Sequence, residues 1–431
     1  MSVSSPESQV LERSQQAAED YPLVPVPMDA RKPIWSLAPL LMGFALTSTT
    51  LFAGGAIGSA FSFNSMIGLV LVGNLLLGGY CAALGFIAYK SGLSTVVMSR
   101  FSFGSIGSRW VDFVLGFTQI GWYAVTNVFI ADALTQLLNL PGFMRLVLTV
   151  FFTYAFCITA YRGYQAMDWL SRIAVPAMLV LIAISLTLGF RDAGDLSSLQ
   201  PTQSMTFFQG LAVIIGTFIS GGTQATNWSR FAKTGKNAVL STLFAFFLIN
   251  GLLVFAGAFC TLVYGSEDLV QAMATQGILL GGIVLLILNV WTTQDNTIYN
   301  FSLAGTNFLR TPKRHLFVLG GATLALALSL TGLYENIISY LIFLGAVIPP
   351  IGGIIMADFW LRHQGVFPDV ESRLPAFNWA GVIAYITGAV TAYITGNASI
   401  GVGPINGIIV AAVLYAVLSR VIKQPIRSPN A

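Results

Sequence analysis

Apolar runs of about twenty residues, separated by short polar or charged segments, repeat along most of this chain. Residues 173–190, 237–266 and 269–294 contain no Asp, Glu, Lys or Arg. A helix rises 1.5 Å per residue, so roughly 20 apolar residues cross the hydrocarbon core of a bilayer. The pattern therefore predicts a polytopic, all-α membrane protein.

Charges and turn residues divide the apolar pattern into separate membrane spans. This division predicts twelve transmembrane helices, with approximate limits at residues 34–59, 65–89, 108–137, 144–161, 170–190, 207–228, 237–264, 274–306, 315–333, 337–360, 376–395 and 401–421.

The sixth predicted span contains a polar and glycine-rich stretch, "TFISGGTQATNW", from Thr217 to Trp228. Unpaired backbone groups are costly in hydrocarbon, so an unwound segment survives there only when it lines a cavity or is buried in protein. Gly221–Gly222 weakens the helix, and Ser220 and Thr223 add hydroxyls. The stretch predicts a broken helix; the alternative is a packing seam of small residues between helices.

The first span carries a second candidate break, with the four hydroxyls of Thr47–Thr50 at its centre and Gly54–Gly55 beyond. Spans one and six are five helices apart, and an odd offset inverts the topology of one five-helix set relative to the other. Interrupted helices at matching positions of inverted repeats indicate the central site of a secondary transporter. A channel is the alternative, although no repeated filter motif is visible.

Two further spans carry polar groups at membrane depth, where ionisable residues mark transport pathways. The eighth span reads "LNVWTTQDNTIYN" over residues 288–300, and Asp295 is its most deeply placed acid. Thr292, Thr293 and Asn289 beside an unwound first helix would form an oxygen-rich setting for a monovalent cation. The alternative for both threonines is hydroxyl bonding to the preceding helical turn. The third span carries Thr118, Gln119, Trp122, Asn127 and Asp132.

Three aromatic residues, Trp122, Phe218 and Trp291, lie at the middle of predicted spans rather than at the membrane interfaces. Trp122 and Phe218 belong to two spans that already have the character of site walls. Two aromatic faces with amide and carboxylate groups nearby would suit a flat, polar heterocycle. Ordinary core packing is the alternative for each ring.

Composition and charge agree with this membrane assignment. The chain is 55% hydrophobic and 9% charged, against about 25% charged residues in soluble domains. With the amino terminus inside, 19 of the 21 Lys and Arg residues fall in cytoplasmic segments, leaving only Arg145 and Arg191 outside. This bias predicts that both termini are cytoplasmic. The basic residues thus set the topology, and they do not indicate nucleic-acid binding.

Other features exclude further classes of protein. The polar residues 1–30 lack a signal peptide's apolar core and are predicted to form a cytoplasmic, mostly disordered tail. Cys81, Cys157 and Cys260 lie within apolar runs without paired spacing, which argues against disulfides and metal sites. Both histidines lie beside basic residues at cytoplasmic ends, and no HExxH motif occurs, so no enzyme activity is expected.

The chain after about residue 25 resembles the cytosine-permease branch of the nucleobase–cation symporters. Seven segments carry the resemblance, in order: "PVPMDARKP", "VGNLLLGGY", "SRFSFGSIGS", "TQIGW", "GTFISGGT", "NVWTTQDN" and "IPPIGGIIMAD". The resemblance implies a 5+5 inverted-repeat fold of the sodium–leucine-transporter type, with helices 1 and 6 broken. It divides the chain into a first repeat at residues 31–190, a second at 207–360, and two further helices with a tail at 376–431.

The resemblance also implies a site. Trp122 and Phe218 would sandwich a base, and its edges would be read by residues of the first, third, sixth and eighth helices: Ser48, Gln119, Ser220, Gln294 and Asp295. Sodium, the coupling ion, would lie between the first and eighth helices. It would be held by carbonyls near Thr47 and Thr50, by the carbonyl of Asn289 and by the hydroxyls of Thr292 and Thr293. No other cofactor is expected.

Three positions depart from the usual cytosine permease, which has Asn for Gln294, Phe for Thr47 and Ala for Gly221. The expected function is sodium-coupled import of cytosine or a close relative across the inner membrane, by a protein that works as a monomer in the bilayer. The alternative substrate is another heterocycle: a hydroxymethylpyrimidine thiamine precursor, a purine or a hydantoin. Coupling to protons is the alternative to coupling to sodium.

Overall fold

The structure is a computed structural model that describes residues 20–196, 200–266, 269–332 and 337–422. Within these ranges the chain is helical, and the only extended pairing is an isolated bridge between Lys32 and Ala232. The prediction of an all-α protein is confirmed. Most of the predicted tail, residues 1–19, lies outside the described residues.

A helix coincides with each of the twelve predicted spans, so the helices are numbered as the spans are. Their bounds are α1a Ile34–Ala45, α1b Ser48–Ala60, α2 Phe63–Ser91, α3 Ser108–Leu137, α4 Met144–Arg162, α5 Tyr164–Asp192, α6a Phe207–Thr223, α6b Thr226–Ser229, α7 Gly235–Tyr264, α8 Leu279–Leu309, α9 Arg314–Ser329, α10a Ile337–Val347, α10b Pro349–Ala357, α11 Trp379–Asn397 and α12 Gly403–Val421. Short helices over Thr95–Phe103 and Leu269–Thr275 lie between spans.

Not every helix meets a length and hydropathy test for crossing a membrane. Among the described residues, eight helices pass it alone, and α1a with α1b passes as a bent pair. The others are α6a, which has 17 residues, α8, which is long but carries many polar side chains, and α9, which has 16 residues. Helix 6 falls short because the turn at Gln224–Ala225 ends α6a after 17 residues. Helix 8 departs from the apolar pattern because it carries polar residues.

The first helix breaks where its row of hydroxyls begins. Leu46 and Thr47 leave helical geometry between α1a and α1b, and the two halves are bent by 56°. The predicted break is therefore confirmed at Thr47. Gly54–Gly55, in contrast, stays helical. A Cβ at Gly54 would overlap the carbonyl oxygen of Val254 in α7, so only glycine fits at this contact. That glycine permits close helix packing.

The sixth helix breaks later than its glycine pair predicts. Gly221 and Gly222 remain in α6a, and the turn falls at Gln224–Ala225. A Cβ at Gly222 would overlap the sulfur of Cys81 in α2. The prediction that the glycine pair itself unwinds is wrong, because these glycines form the packing seam that the sequence offered as the alternative.

The tenth helix has a break that the sequence analysis did not predict. Ile348 separates α10a from α10b, and Pro349 and Pro350 open the second half. Proline has no backbone N–H and fits the first turn of a helix. The interruption lasts one residue, since Ile348 keeps helical backbone angles and Phe343–Arg362 passes the membrane test as one span.

Large apolar side chains cover the outside of the helix bundle. Leu75 in α2, Ile386 in α11 and Val413 in α12 are each more than half exposed, as expected of surfaces that face lipid. The side of the bundle that carries Arg31, Arg230 and Arg314 is called the basic side; it is the predicted cytoplasmic side. Arg230 donates to the carbonyls of Asp20 and Tyr21 there.

Candidate functional site

The break of helix 1 adjoins a cavity between helices 1, 3, 6 and 8, and the last turns of α6a also line it. Its lining consists of Phe44, Thr47, Thr49, Gln119, Trp122, Thr126, Thr217, Phe218, Ser220, Gly221, Thr293 and Thr297. The cavity volume is about 30 Å³, enough for water but not for a six-membered ring. The cavity is therefore nearly closed in this conformation, and side chains must move to admit a ligand of that size.

A larger cavity of about 350 Å³ adjoins the central one. Both are lined by Thr49, Trp122 and Thr217, and the larger one is also lined by α10a, α11 and α12. Its other lining residues include Ala53 of α1b and Ala212 of α6a, toward the side opposite the basic side. These shared residues make the larger cavity the natural approach to the central cavity.

The two aromatic residues predicted to flank a ligand both line the central cavity. Trp122 makes an edge contact with Tyr340 of α10a, at a centroid separation of 5.7 Å. Phe218 lies against Phe44 and Phe246, with centroids 4.8 and 5.4 Å away. Aromatic neighbours on three other helices thus hold both rings beside the cavity.

Polar side chains predicted to read a ligand fall into two groups. Gln119 and Ser220 line the cavity and are nearly fully buried. Ser48 lies beside the α1 break but donates to the side-chain oxygen of Asn289, at 2.8 Å. Gln119 and Ser220 are therefore placed to meet a ligand directly, whereas Ser48 links helices 1 and 8.

Gln294 and Asp295 do not line the cavity. The amide nitrogen of Gln294 donates to the carbonyl of Tyr123 and to the side-chain oxygen of Asn127, at 2.9 and 2.8 Å. Asp295 accepts from the hydroxyl of Thr159 in α4, at 3.0 Å. In this conformation both residues contact neighbouring helices, so the structure does not bring them together with Trp122 and Phe218.

Two of the predicted cation residues, Thr47 and Thr293, lie at the junction of helices 1 and 8. The hydroxyl of Thr293 donates to the carbonyl of Leu46, at 3.0 Å, and Thr47 lines the same cavity. Leu46 directly follows the last residue of α1a, so its carbonyl has no partner within the helix. A carbonyl and a hydroxyl at this distance are ligands of the type that bind a hard cation.

Three other predicted cation residues have separate roles in this conformation, and one of them, Asn289, accepts from Ser48 through its side-chain oxygen. Thr292 bonds back to the carbonyls of Leu288 and Asn289, at 3.0 and 3.3 Å, as the alternative interpretation proposed. Thr50 donates to the side chain of Asn250 in α7, at 3.1 Å. Among the described residues, no cluster of three or more His, Cys, Asp or Glu side chains could hold a metal ion, so an ion here would rely on neutral oxygens.

Sequence analysis missed several residues of the cavity. Thr126 lies one turn after Trp122, and Thr297 lies one turn after Thr293, so helical periodicity from the predicted residues would have indicated both. Phe44 gave no such signal, because one phenylalanine in an apolar helix is indistinguishable from core. The carbonyl of Leu46 directly precedes Thr47 and so falls among the carbonyls expected near that residue.

Comparison with known proteins gives these features a context. The profile of a family described as "Permease for cytosine/purines, uracil, thiamine, allantoin" matches residues 25–418. The chain belongs to this permease family. It is therefore a multi-pass membrane transporter rather than an enzyme.

Individual relatives agree with this family membership. The chain is 34% identical to the cytosine permease of Escherichia coli K12 over 403 residues, which cover 93% of this chain and 94% of the relative. It is 24% identical to the allantoin permease of Bacillus subtilis, over 79% of this chain and 78% of the relative. This permease is thus similar in sequence to transporters of more than one heterocycle.

Solved structures show the same fold at low sequence identity. Mhp1, a nucleobase–cation–symport-1 family transporter in a closed conformation with bromovinylhydantoin bound, superposes with a TM-score of 0.80 at 18% identity. The match covers 94% of this permease and 97% of Mhp1. A sodium-coupled sialic acid symporter superposes with a TM-score of 0.70 at 11% identity, covering 96% of each chain. The predicted transporter fold is therefore confirmed.

Proposed function

We propose that this permease imports cytosine or a closely related nucleobase together with sodium, by alternating access across the inner membrane. The observation that carries the proposal is the central cavity, in which Trp122, Phe218 and Gln119 lie next to the Thr293–Leu46 contact. A planar base would occupy the space between the aromatic walls. The 34% identity to a cytosine permease supports this substrate class.

The aromatic walls would contribute to affinity by stacking on the two faces of the base. An aromatic pair is worth about 0.5–1.5 kcal/mol beyond the area it buries. Gln119 and the cavity hydroxyls then form hydrogen bonds with the edge of the ring. A site built to hydrogen-bond such groups rejects analogues that lack them, since its own buried polar atoms would stay unpaired.

Sodium would bind where helix 8 meets the break of helix 1. The carbonyl of Leu46 and the hydroxyl of Thr293 already face each other at 3.0 Å, and an ion between them would use both oxygens as ligands. An ion that contacts both helices stabilises the conformation in which they lie together. A base that contacts Trp122 in that conformation would then bind more tightly, and the coupling must be reciprocal.

A second candidate is a transporter of another heterocycle in the same family, such as a hydroxymethylpyrimidine, purine or hydantoin. The observation that favours it is the position of Gln294, whose amide contacts helix 3 rather than the cavity. Without that amide, the cavity presents mainly hydroxyls, which both donate and accept and so fit more than one ring pattern. Coupling to protons belongs with this candidate, because Asp295 is a fully buried acid.

Uptake into proteoliposomes tests the proposal. With an inward sodium gradient, radiolabelled cytosine should accumulate above its external concentration, and collapsing the gradient should abolish accumulation. Equilibration independent of the gradient would indicate a facilitator or channel. A proton gradient that replaces sodium, or preference for another ring in a thermal-stability screen of heterocycles with and without sodium, would favour the second candidate.

A further inference from the structure

A second group of polar side chains lies beyond the cavity toward the basic side. It comprises Gln224 at the break of helix 6, Trp228 in α6b, and Asn296 and Asn300 in α8. Asn296 and Asn300 follow the cavity residue Thr293 by three and seven positions, which places all three on one face of α8. These four residues are called the inner group.

Every member of the inner group is fully or almost fully buried, yet each has polar atoms that lack a partner. Within the described part of the chain, no hydrogen bond reaches either amide atom of Gln224, the indole nitrogen of Trp228, the side-chain oxygen of Asn296 or the amide nitrogen of Asn300. More than about 90% of buried polar groups in proteins have a partner. Five such atoms on two neighbouring helices therefore indicate a ligand or ordered water.

An aromatic contact links the central cavity to the inner group. Phe44 lines the cavity, and its ring centroid lies 4.8 Å from that of Trp228. Trp228 in turn lies 6.2 Å from the ring of Tyr299. A ligand that passes the side chain of Phe44 would therefore arrive directly at the inner group.

The inner group is closed toward the basic side by the short helix Thr95–Phe103. The backbone N–H of Thr95 donates to the side chain of Asn227, and its hydroxyl donates to the carbonyl of Thr223, at 3.2 and 3.0 Å. Asn227 also donates to the side-chain oxygen of Asn300, at 2.7 Å. These bonds tie the broken sixth helix to the short helix and to α8, and they would have to separate before a ligand could leave.

We propose that the inner group is a second, inner site for the transported heterocycle, occupied between the central cavity and release on the basic side. The inference deepens the proposed function and rests on it. Amide groups supply both donors and acceptors, and the indole N–H supplies one more donor. This set matches a planar ring whose edge alternates the two kinds of group, and the rings of Trp228 and Tyr299 offer aromatic surface.

Two variants remove unpartnered atoms of the inner group. Gln224→Met replaces the amide by an apolar chain of similar length, and Trp228→Phe removes the indole N–H but keeps an aromatic ring. Trp291→Phe is the matched control, because its indole nitrogen is also buried and unpartnered. Trp291 packs against Phe156 of α4 and borders both buried apolar clusters, and it is not a member of the inner group. A purely structural role would make the three variants behave alike.

The experiment measures initial uptake into proteoliposomes, together with external binding affinity and thermal stability. The ligand is the base that the parent takes up fastest from a panel of cytosine, uracil, hypoxanthine and hydantoin. We expect Gln224→Met and Trp228→Phe to slow uptake about fivefold, the effect of losing one hydrogen bond during transit. External binding affinity should not fall, and Trp291→Phe should transport as the parent does. Thermal stability should stay parental in Gln224→Met, and the loss in Trp228→Phe should be of the size expected for a buried Trp→Phe change.

Other outcomes overturn the inference in distinguishable ways. Parental uptake by both test variants would mean that the inner group holds only water. An equal loss of external affinity would place these residues in the central cavity instead. If Gln224→Met does not fold, Trp228→Phe against Trp291→Phe decides alone. A parent that takes up no base from the panel would overturn the proposed function and the inner site together.

Discussion

The hydroxyl of Thr293 in α8 donates to the carbonyl of Leu46, 3.0 Å away, at the point where helix 1 breaks. This bond joins two helices that are separated by more than 240 residues of chain. It satisfies a carbonyl that the end of α1a leaves without a helical partner. The coupling of ion and base can therefore be tested at one side chain.

Thr293→Val keeps the shape of the side chain but puts a methyl group where the hydroxyl faced Leu46. We expect base binding to persist and its dependence on sodium to disappear. A methyl group cannot replace the oxygen ligand that the ion loses, and burying an ion that lacks a ligand is costly. In the parent, saturating sodium should tighten base binding by a factor within the usual range of about 5–150-fold. Base affinity at low and high sodium is the measurement.

Thr261→Val is the control for that experiment, since this hydroxyl bonds back to the carbonyl of Gly257 in α7, at 3.0 Å. It should keep the parental sodium response. If Thr293→Val also keeps that response, the cation binds elsewhere, and Asp295 becomes the next residue to test.

Trp122→Ala should weaken base binding by about 3- to 10-fold or more, because it removes one aromatic wall. The protein should still fold, since Trp122 is only partly buried and borders the cavity. Isothermal titration or competition binding measures the effect. Trp110→Ala is a matched control on the same helix, because its side chain is 54% exposed. Equal affinity of Trp122→Ala and parent would remove this residue from the site.

Gln294→Asn shortens an amide that bonds to Tyr123 and Asn127 of α3. We expect it to lose both bonds, at a cost of about 1 kcal/mol or more in stability. We also expect its substrate preference to move toward that of a cytosine permease. Competition of unlabelled heterocycles against labelled cytosine measures the preference. An unchanged profile with lowered thermal stability would give Gln294 a structural role only.

Asp20→Asn should favour opening on the basic side. The Asp20 carboxylate accepts from the backbone N–H of Tyr164, at 2.9 Å, and lies 3.7 Å from the buried guanidinium of Arg314. Its removal leaves the Arg314 charge less compensated and weakens the closed state. Shifting the population away from the outward conformation should lower external base affinity severalfold.

Asp29→Asn provides the comparison for that prediction. Asp29 is an exposed acid in the same segment, and its carboxylate accepts only from the neighbouring Ala30 N–H among the bonds described. It should bind base as the parent does. The same affinity in both variants and the parent would show that Asp20 does not hold the closed state.

The sequence predicted the helices and the first break, because both follow from local patterns. Apolar runs give the spans, and the hydroxyls of Thr47–Thr50 mark the unwound point of helix 1. The break of helix 6 was displaced, since a glycine pair can signal either unwinding or close packing. Only the neighbour decides between these, and here Cys81 lies against Gly222.

Cavity residues could be predicted where they repeat along one face of a helix. They could not be predicted where the direction of a side chain depends on how the helix is rotated about its axis. Trp122, Phe218, Gln119 and Ser220 reach the cavity as predicted. Asp295 lies within two residues of Thr293 but accepts from Thr159 of α4 instead. Neighbouring positions of a helix point about 100° apart, so the direction of each side chain depends on how α8 is turned in the bundle.

The contact between α1b and α7 limits which positions of this protein can be substituted without disturbing the fold. A Cβ at Gly54, Gly58 or Gly257 would overlap a carbonyl oxygen of the opposing helix, so no larger residue fits any of the three. Thr126 and Thr297 line the central cavity instead, where a substitution would change the shape of the space open to a ligand. Substitutions that change the substrate are therefore expected at these threonines, whereas the three glycines should tolerate no larger residue.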